Sequence, residues 1–319
     1  MKRFKKILYI INPEEKQTPN SLVRAINLAD SNIATLTVMS VVPDFSSIKI
    51  EPETLDKEAV FDKLRATIEG KLEIIKQSLN KNMAIDYRIC EGKLTVEVVR
   101  AVLKNGHDLV IKEAENPSWI ERLFGGDDIH LLRKCPCPVW LSKPDDKGNY
   151  KTIMAAVDFD SDENPSSCAL NDTIINLSSS LSLSDFASLH LITVYDSLEA
   201  GALSLWSSEP EQLKRNLELA EYKRKKQAMD QLLDGMRAKL DQKDYDYIAP
   251  ITHLIQGSPA QQLPKMAKQL KADLVVMGTL GRAGIRGIVI GNTAESLLLE
   301  LDCSVLAIKP EGFISPITF

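Results

Sequence analysis

The chain has 319 residues, with 39 Lys and Arg against 44 Asp and Glu, a formal charge of −5, 44% hydrophobic residues and 26% charged ones. At about 150 residues per domain this length suggests two domains, and the composition excludes a disordered chain. Mild acidity argues against a protein whose main task is gripping nucleic-acid phosphates, and no apolar run reaches the ~18–20 residues of a bilayer span.

The start, Met1-Lys2-Arg3-Phe4-Lys5-Lys6, is basic like the head of a signal peptide. The apolar run 7–11 behind it is shorter than the roughly 7–15 residues of an export h-region, so it reads as a first strand and a cytoplasmic location is expected. Further strands are predicted at 35–42, 109–111 and 139–141. Between them Phe61, Leu64, Ile68, Leu72, Ile75 and Leu79 recur at helical spacing along one face of a long helix. The strands are near-continuous apolar runs, which suit a parallel sheet buried on both faces. A polar, Gly-bearing stretch, Asp145-Asp146-Lys147-Gly148-Asn149-Tyr150, then reads as a linker.

The second half repeats the first. Lys6-Ile7-Leu8-Tyr9-Ile10-Ile11-Asn12 matches Lys151-Thr152-Ile153-Met154-Ala155-Ala156-Val157-Asp158, and His107-Asp108-Leu109-Val110-Ile111 matches Ala272-Asp273-Leu274-Val275-Val276. Near the ends, Cys137-Pro138-Val139-Trp140-Leu141-Ser142-Lys143-Pro144 matches Cys303-Ser304-Val305-Leu306-Ala307-Ile308-Lys309-Pro310. Ile7 pairs with Ile153 and Pro144 with Pro310, so the spacing grows from 146 to 166 and the second half is longer by about 20 residues, placed around 196–212. The order predicted there is strand 152–157, helix 166–183, strand 187–194, helix 210–240, strand 247–255, helix 259–270 capped by Ser258, strand 274–277, a helix from Gly291, and strand 305–308. Five strands alternating with helices, used twice, make two tandem doubly wound α/β domains, 1–144 and 151–311, with ligands expected at the carboxyl ends of the strands.

The sharpest chemical signal follows the fourth strand of the second half. Met277-Gly278-Thr279-Leu280-Gly281-Arg282-Ala283-Gly284-Ile285-Arg286-Gly287-Ile288-Val289-Ile290-Gly291-Asn292-Thr293 lies between a buried strand and a helix. Glycines let backbone N–H groups close on an anion and permit positive φ; a helix opening at Gly291 would favour phosphate, and Arg282 and Arg286 would add charge-assisted bonds. Neither GxxxxGK[ST] nor GxGxxG occurs in this loop, which excludes a P-loop and a Rossmann fingerprint.

Gly278-x2-Gly281-x9-Gly291-Asn292 resembles the ATP-binding motif of the universal stress protein family. The tandem halves, the run His130-Leu131-Leu132-Arg133-Lys134-Cys135-Pro136-Cys137-Pro138-Val139-Trp140 and the run Gly291-Asn292-Thr293-Ala294-Glu295 resemble the family's tandem bacterial members of the E type, over essentially the whole chain. The resemblance implies two five-stranded parallel sheets flanked by helices, the adenine nucleotide alpha hydrolase-like fold. It implies ATP or a related nucleotide, with Mg as a possible companion, in the second domain. Asp158 and Val194 would border adenine and ribose, and Met277 and Gly278 would line the pocket. Gly281, Arg282, Gly291, Asn292 and Thr293 would receive the phosphates; Asn292 stands where ATP-binding members often have Ser. The resemblance also implies a stress-response regulator or interaction protein supporting survival, for instance after DNA damage. Its domains would pair through 139–141 and 305–308, with a homodimer as a further possibility. Other readings of the same pocket are a carrier of another phosphorylated ligand, such as a nucleotide-sugar, and a slow ATP hydrolase.

The first half departs from the motif. Glu113 stands for Gly278, Asn116 for Gly281, Gly126 for Gly291, Asp127 for Asn292, and Asn12 for Asp158. With Asp128 these acids would oppose a triphosphate: two like charges 4 Å apart repel by about 4 kcal/mol at an effective dielectric of 20. The first half therefore reads as a degenerate nucleotide site.

The remaining chemical candidates read as packing. Cys135-Pro136-Cys137 has no second Cys or His pair beside it, and Cys90, Cys168 and Cys303 read as buried thiols. His107, His130, His190 and His253 match no zinc pattern, and the last two fall in strands. Lys223-Arg224-Lys225-Lys226 reads as a solvated stretch of the long helix. Trp119 and Trp206 read as loop-packing aromatics. No nucleophile elbow or carboxylate pair points to catalysis.

Overall fold

In the computed structural model, described at residues 4–12, 19–44, 56–79, 84–114, 126–144, 146, 148–159, 165–195, 208–279 and 300–318, the chain divides into two compact units. One comprises Met1–Gly148 with Ile314–Phe319, the other Asn149–Phe313.

The first unit contains β1 (Lys6–Ile10), α1 (Asn20–Asn32), β2 (Thr35–Val42), α2 (Lys57–Leu79), β3 (Ile85–Glu91), α3 (Leu94–Asn105), β4 (Leu109–Glu113), α4 (Asp127–Lys134) and β5 (Val139–Ser142). Its sheet runs β3-β2-β1-β4-β5 with every pair parallel. The chain steps outward from β1 to β3, then returns to β4 beside β1. Right-handed crossovers therefore put helices on both faces, and the order reverses between β1 and β4. Both faces being covered, the inner strands are apolar throughout: Ile7, Leu8, Tyr9, Leu109, Val110 and Trp140 are fully buried.

The second unit repeats this with β6 (Thr152–Ala156), α5 (Pro165–Asp185), β7 (Ser188–Tyr195), α6 (Pro210–Lys239), α7 (Gln242–Ile248), β8 (Ile251–Gln256), α8 (Pro259–Leu270), β9 (Leu274–Gly278) and β10 (Ser304–Ile308). Its parallel sheet is ordered β10-β9-β6-β7-β8. Equivalent bonds recur in both units. The Asp108 carboxylate accepts from the backbone N–H groups of Lys5 and Lys6 (2.7 and 3.0 Å), and that of Asp273 accepts from Lys151 and Thr152 (2.7 and 2.9 Å). The shared Asp of the repeat thus fastens the starts of two neighbouring strands, at the end of the sheet away from the expected ligand, and its role is structural.

The strand at 247–255 begins later than the sequence suggests, because Gln242–Ile248 forms α7. Tyr245 and Ile248, three apart, are both buried on one side of that turn, and packing overrides the strand propensity of Tyr and Ile. The extra length is also spread out. Lys6 corresponds to Thr152, Thr35 to Ser188 and Ile85 to Ile251, so the spacing steps from 146 to 153 to 166. Part of the gain lengthens α5 relative to α1, and the rest enlarges the connection through α6 and α7. Ser258 precedes α8 as expected but makes no side-chain cap bond.

Candidate functional site

In the second unit the direction of strand addition reverses between β6 and β9. The register aligns Ala155 with Val276 across this junction and Ala156 with Ile192 on the other side. Carrying that register forward brings Asp158, just beyond β6, opposite Val194 in β7 on one flank and opposite Thr279, the residue that follows Met277 and Gly278 at the end of β9, on the other. These four sequence-derived residues therefore share the carboxyl end of one strand trio, where the crevice of a doubly wound sheet opens. Gly281, Arg282, Gly291, Asn292 and Thr293 lie outside the described residues, as do Trp119 and Trp206.

Gly278 leaves room for a neighbouring leucine. A Cβ there would lie 2.8 Å from Leu170 Cδ2 of α5. Gly278 is absent from the glycines at positive φ, so the conformational freedom expected of it is not used at this position. Thr279, buried, donates its backbone N–H to Ile308 O (3.0 Å) and its hydroxyl to the same carbonyl (3.3 Å), tying the end of β9 to β10.

Asp158 is held from several sides. Asn171 of α5 donates Nδ2–H to Asp158 O (2.7 Å) and accepts the Asp158 N–H (3.2 Å). The carbonyl of Phe159 accepts from Arg224 of α6 (3.3 Å), whose guanidinium also grips the Glu221 carboxylate at 2.8 and 2.9 Å. Lys225 Nζ lies 4.0 Å from Asp158 Oδ1 and 3.8 Å from Glu221 Oε1. The Lys225 side chain is fully buried, while that of Asp158 is 57% exposed.

This corrects the reading of Lys223-Arg224-Lys225-Lys226 as a solvated stretch. Lys223 and Lys226 are exposed, whereas Arg224 is half-buried and Lys225 is buried. The signal was present in the periodicity. The stripe Leu213, Leu217, Ala220 and Met229, Leu233, Met236 has a gap that a straight helix fills with positions 224 and 225. Lys225 lies four residues before Met229 and eleven before Met236, and these three are the buried residues of α6. Asn171 and Leu170 carried no signal, since polar and apolar residues alternate irregularly along α5.

At the corresponding strand ends of the first unit, charged and polar side chains bond one another. Lys112, at the position of Met277, is buried and pairs with Asp128 at 2.8 Å while donating to Glu113 O (3.1 Å). Ser21 donates to Glu113 Oε2 (2.9 Å) and exchanges a hydrogen bond with Tyr9 Oη (2.8 Å). Thr95 donates to Asp127 Oδ1 (3.3 Å) at the start of α4. Asp128 is thus neutralised by an internal cation, which modifies the simple picture of like-charge repulsion.

Elsewhere, His190 Nδ1 and His253 Nε2 lie 3.0 Å apart on β7 and β8. Burial lowers both imidazoles below the usual histidine range, and His190 is lowered further by His253. Cys135 and Cys137 are buried with their sulfurs 3.6 Å apart. The bond to Cys135, together with burial, holds the Cys137 thiol well above its ordinary range. Cys303 is buried as expected, but Cys90 is half-buried and Cys168 is exposed. Among the described residues there is no group of three or more His, Cys, Asp or Glu that could hold a metal, and no helix long and apolar enough to cross a membrane.

The universal stress protein family model matches the chain twice, at residues 3–143 and 149–309. The chain belongs to the universal stress protein family. Universal stress protein E of Escherichia coli K12 is 29% identical over 326 aligned positions, covering 99% of this chain and 98% of that one. The universal stress protein E homolog of Haemophilus influenzae is 28% identical, covering 97% and 98%. Among solved structures, a functionally unknown protein from Pseudomonas aeruginosa PAO1 superposes with a TM-score of 0.69 at 22% identity, covering 97% of this chain and 94% of that one. A universal stress protein from Archaeoglobus fulgidus superposes with a TM-score of 0.61 at 14% identity, covering 96% of each. At such identities the structures establish the shared fold: tandem universal stress protein domains, each a parallel sheet flanked by helices.

Proposed function

We propose that the Asn149–Phe313 unit binds ATP or a related nucleotide in the crevice between β6 and β9. On this reading the chain serves as a stress-response regulator or interaction protein, working in the cytoplasm. The observation that carries it is the convergence of Asp158, Val194, Met277 and Gly278 at the strand ends where the sheet order reverses, the usual ligand position in an open α/β sheet. The glycine-rich stretch 278–293, with Arg282 and the Gly291-Asn292-Thr293 run, would receive the phosphates. On the same reading Met1–Gly148 keeps the fold without the site, a view supported by the Lys112–Asp128 pair and the Ser21–Glu113 bond at its strand ends. Calorimetric titration of the full chain with ATP tests this. Saturable binding that weakens at least about tenfold on Asp158→Ala, the cost of about one charged hydrogen bond, is expected. Binding unaffected by that change would place the nucleotide elsewhere.

A further inference from the structure

We infer that the facing thiols of Cys135 and Cys137, at the amino end of β5, form a two-coordinate site for a soft monovalent cation, Cu(I) being the ion whose chemistry they fit. The site lies at the end of the sheet away from the nucleotide crevice and does not depend on the nucleotide reading.

The run Cys135-Pro136-Cys137-Pro138 builds the pair. Each cysteine precedes a proline, which steers its backbone to the extended region. Cys135, the residue that ends α4, sits at φ −69° and ψ 128°. The chain bends at Pro136 and Cys137, and the two sulfurs come to 3.6 Å from each other. Both thiols are buried, Cys135 completely and Cys137 at 8% exposure. The two donors are thus converged before any ion arrives, which lowers the ordering cost of binding.

Packing alone does not call for the second sulfur. Cys303 stands in the other unit where Cys137 stands in this one, and the same offset of 166 carries Cys135 to Leu301. Leu301 is buried at 1% exposure, so the fold closes this position with an ordinary apolar side chain. The dithiol is particular to the first unit.

The surroundings keep the pair as thiols until an ion displaces the protons. The bond between the two sulfurs, then burial, holds the Cys137 thiol well above its ordinary range, and the Asp108 carboxylate acts in the same direction. A thiol kept protonated is a poor nucleophile toward oxidants. A disulfide would also need the sulfurs to close from 3.6 Å by about 1.5 Å. A linear sulfur–metal–sulfur unit with bonds of about 2.3 Å needs them to open by about 1 Å, and a bent one needs less. Binding exchanges two S–H bonds for two Cu–S bonds and releases two protons to solvent, with no electron transferred. Uptake therefore strengthens as pH rises.

Donor number selects the ion. Among the described residues there is no group of three or more His, Cys, Asp or Glu that could hold a metal, whereas structural zinc takes four ligands. Two thiolates without a further donor suit Cu(I), which soft sulfur ligands prefer.

The test titrates the full reduced chain, without oxygen, against Cu(I) held by bicinchoninate, whose colour reports the copper it keeps. Wild type and the double variant Cys90→Ser with Cys168→Ser, which lacks the thiols nearer solvent, should each withdraw one Cu(I) per chain. Cys135→Leu, which installs the residue of the second unit, should withdraw none while keeping its circular dichroism spectrum. X-ray absorption of the copper-loaded double variant should show a shell of two sulfurs. No withdrawal by wild type, uptake unchanged in a folded Cys135→Leu chain, uptake lost in the double variant, or a shell of three or more ligands overturns the inference. If Cys135→Leu does not fold, Cys137→Ala carries the measurement: lost uptake supports the site and retained uptake overturns it. If neither folds, the shell observed in the double variant decides.

Discussion

Replacing Asp128 by Asn tests whether bonding between side chains at the strand ends of the first unit excludes a nucleotide. The Lys112–Asp128 pair is 2.8 Å long with side chains 6% and 8% exposed. At that distance and an effective dielectric of 20 the attraction is about 6 kcal/mol, most of which offsets the desolvation of the two ions. Removing one partner leaves the Lys112 ammonium buried with the Glu113 carbonyl as a remaining acceptor, and the expected loss of stability is about 3–5 kcal/mol. Urea unfolding, followed together with hydrogen exchange of the β4 segment, would place that loss in the first unit. The double change Lys112→Met with Asp128→Leu removes both charges and should recover most of the stability. ATP stoichiometry provides a second readout: if occupancy by side chains closes the crevice, Asp128→Asn still takes up no nucleotide in the first unit. A loss below about 1 kcal/mol would refute the energetic reasoning. A second nucleotide bound by Asp128→Asn would show that charge repulsion alone had kept the site empty.

Other parts of the fold give further expected outcomes. Gly257 lies between β8 and α8 at φ +131°, and a Cβ there would come within 2.8 Å of Gln262 Nε2. Gly257→Ala should cost about 1–3 kcal/mol, measured by chemical denaturation, because that backbone region is nearly closed to other residues. The His190–His253 pair implies acid sensitivity of the second unit. Burial sets both imidazoles below their ordinary 6.5, so the folded form binds fewer protons than the unfolded form in that window. The stability contribution is complete above pH 6.5 and is lost as pH falls toward the lowered folded values. His107 in the first unit is shifted the same way by burial. Substituting His190 with Gln should therefore reduce, without abolishing, the fall in melting temperature between about pH 7.5 and 5.5; an unchanged fall would remove the pair from the explanation.

Much of the architecture was legible because it is written in apolar periodicity and in repetition. The matched segments of the two halves became equivalent strands, and the carboxylates of Asp108 and Asp273 fasten equivalent strand starts. The candidate site was legible where it depended on strand ends: Asp158, Val194, Met277 and Gly278 lie where alternating strands and helices put them. What escaped the sequence depended on packing between helices. Lys225 belongs by residue type to a basic cluster suited to solvent, but its position on the stripe with Met229 and Met236 buries it. Asn171 and Leu170 meet Asp158 and Gly278 only through the packing of α5. Gln242–Ile248 carried strand-forming residues that packing turned into helix, and Lys112 opposite Asp128 could not be seen until β4 and α4 were placed side by side.

Native mass spectrometry of the full chain, titrated with ATP, tests the central claim most directly. One nucleotide per chain, lost on Gly278→Glu in a chain that keeps its circular dichroism spectrum, is the predicted result. No adduct at millimolar ATP, or two nucleotides per chain, would contradict it.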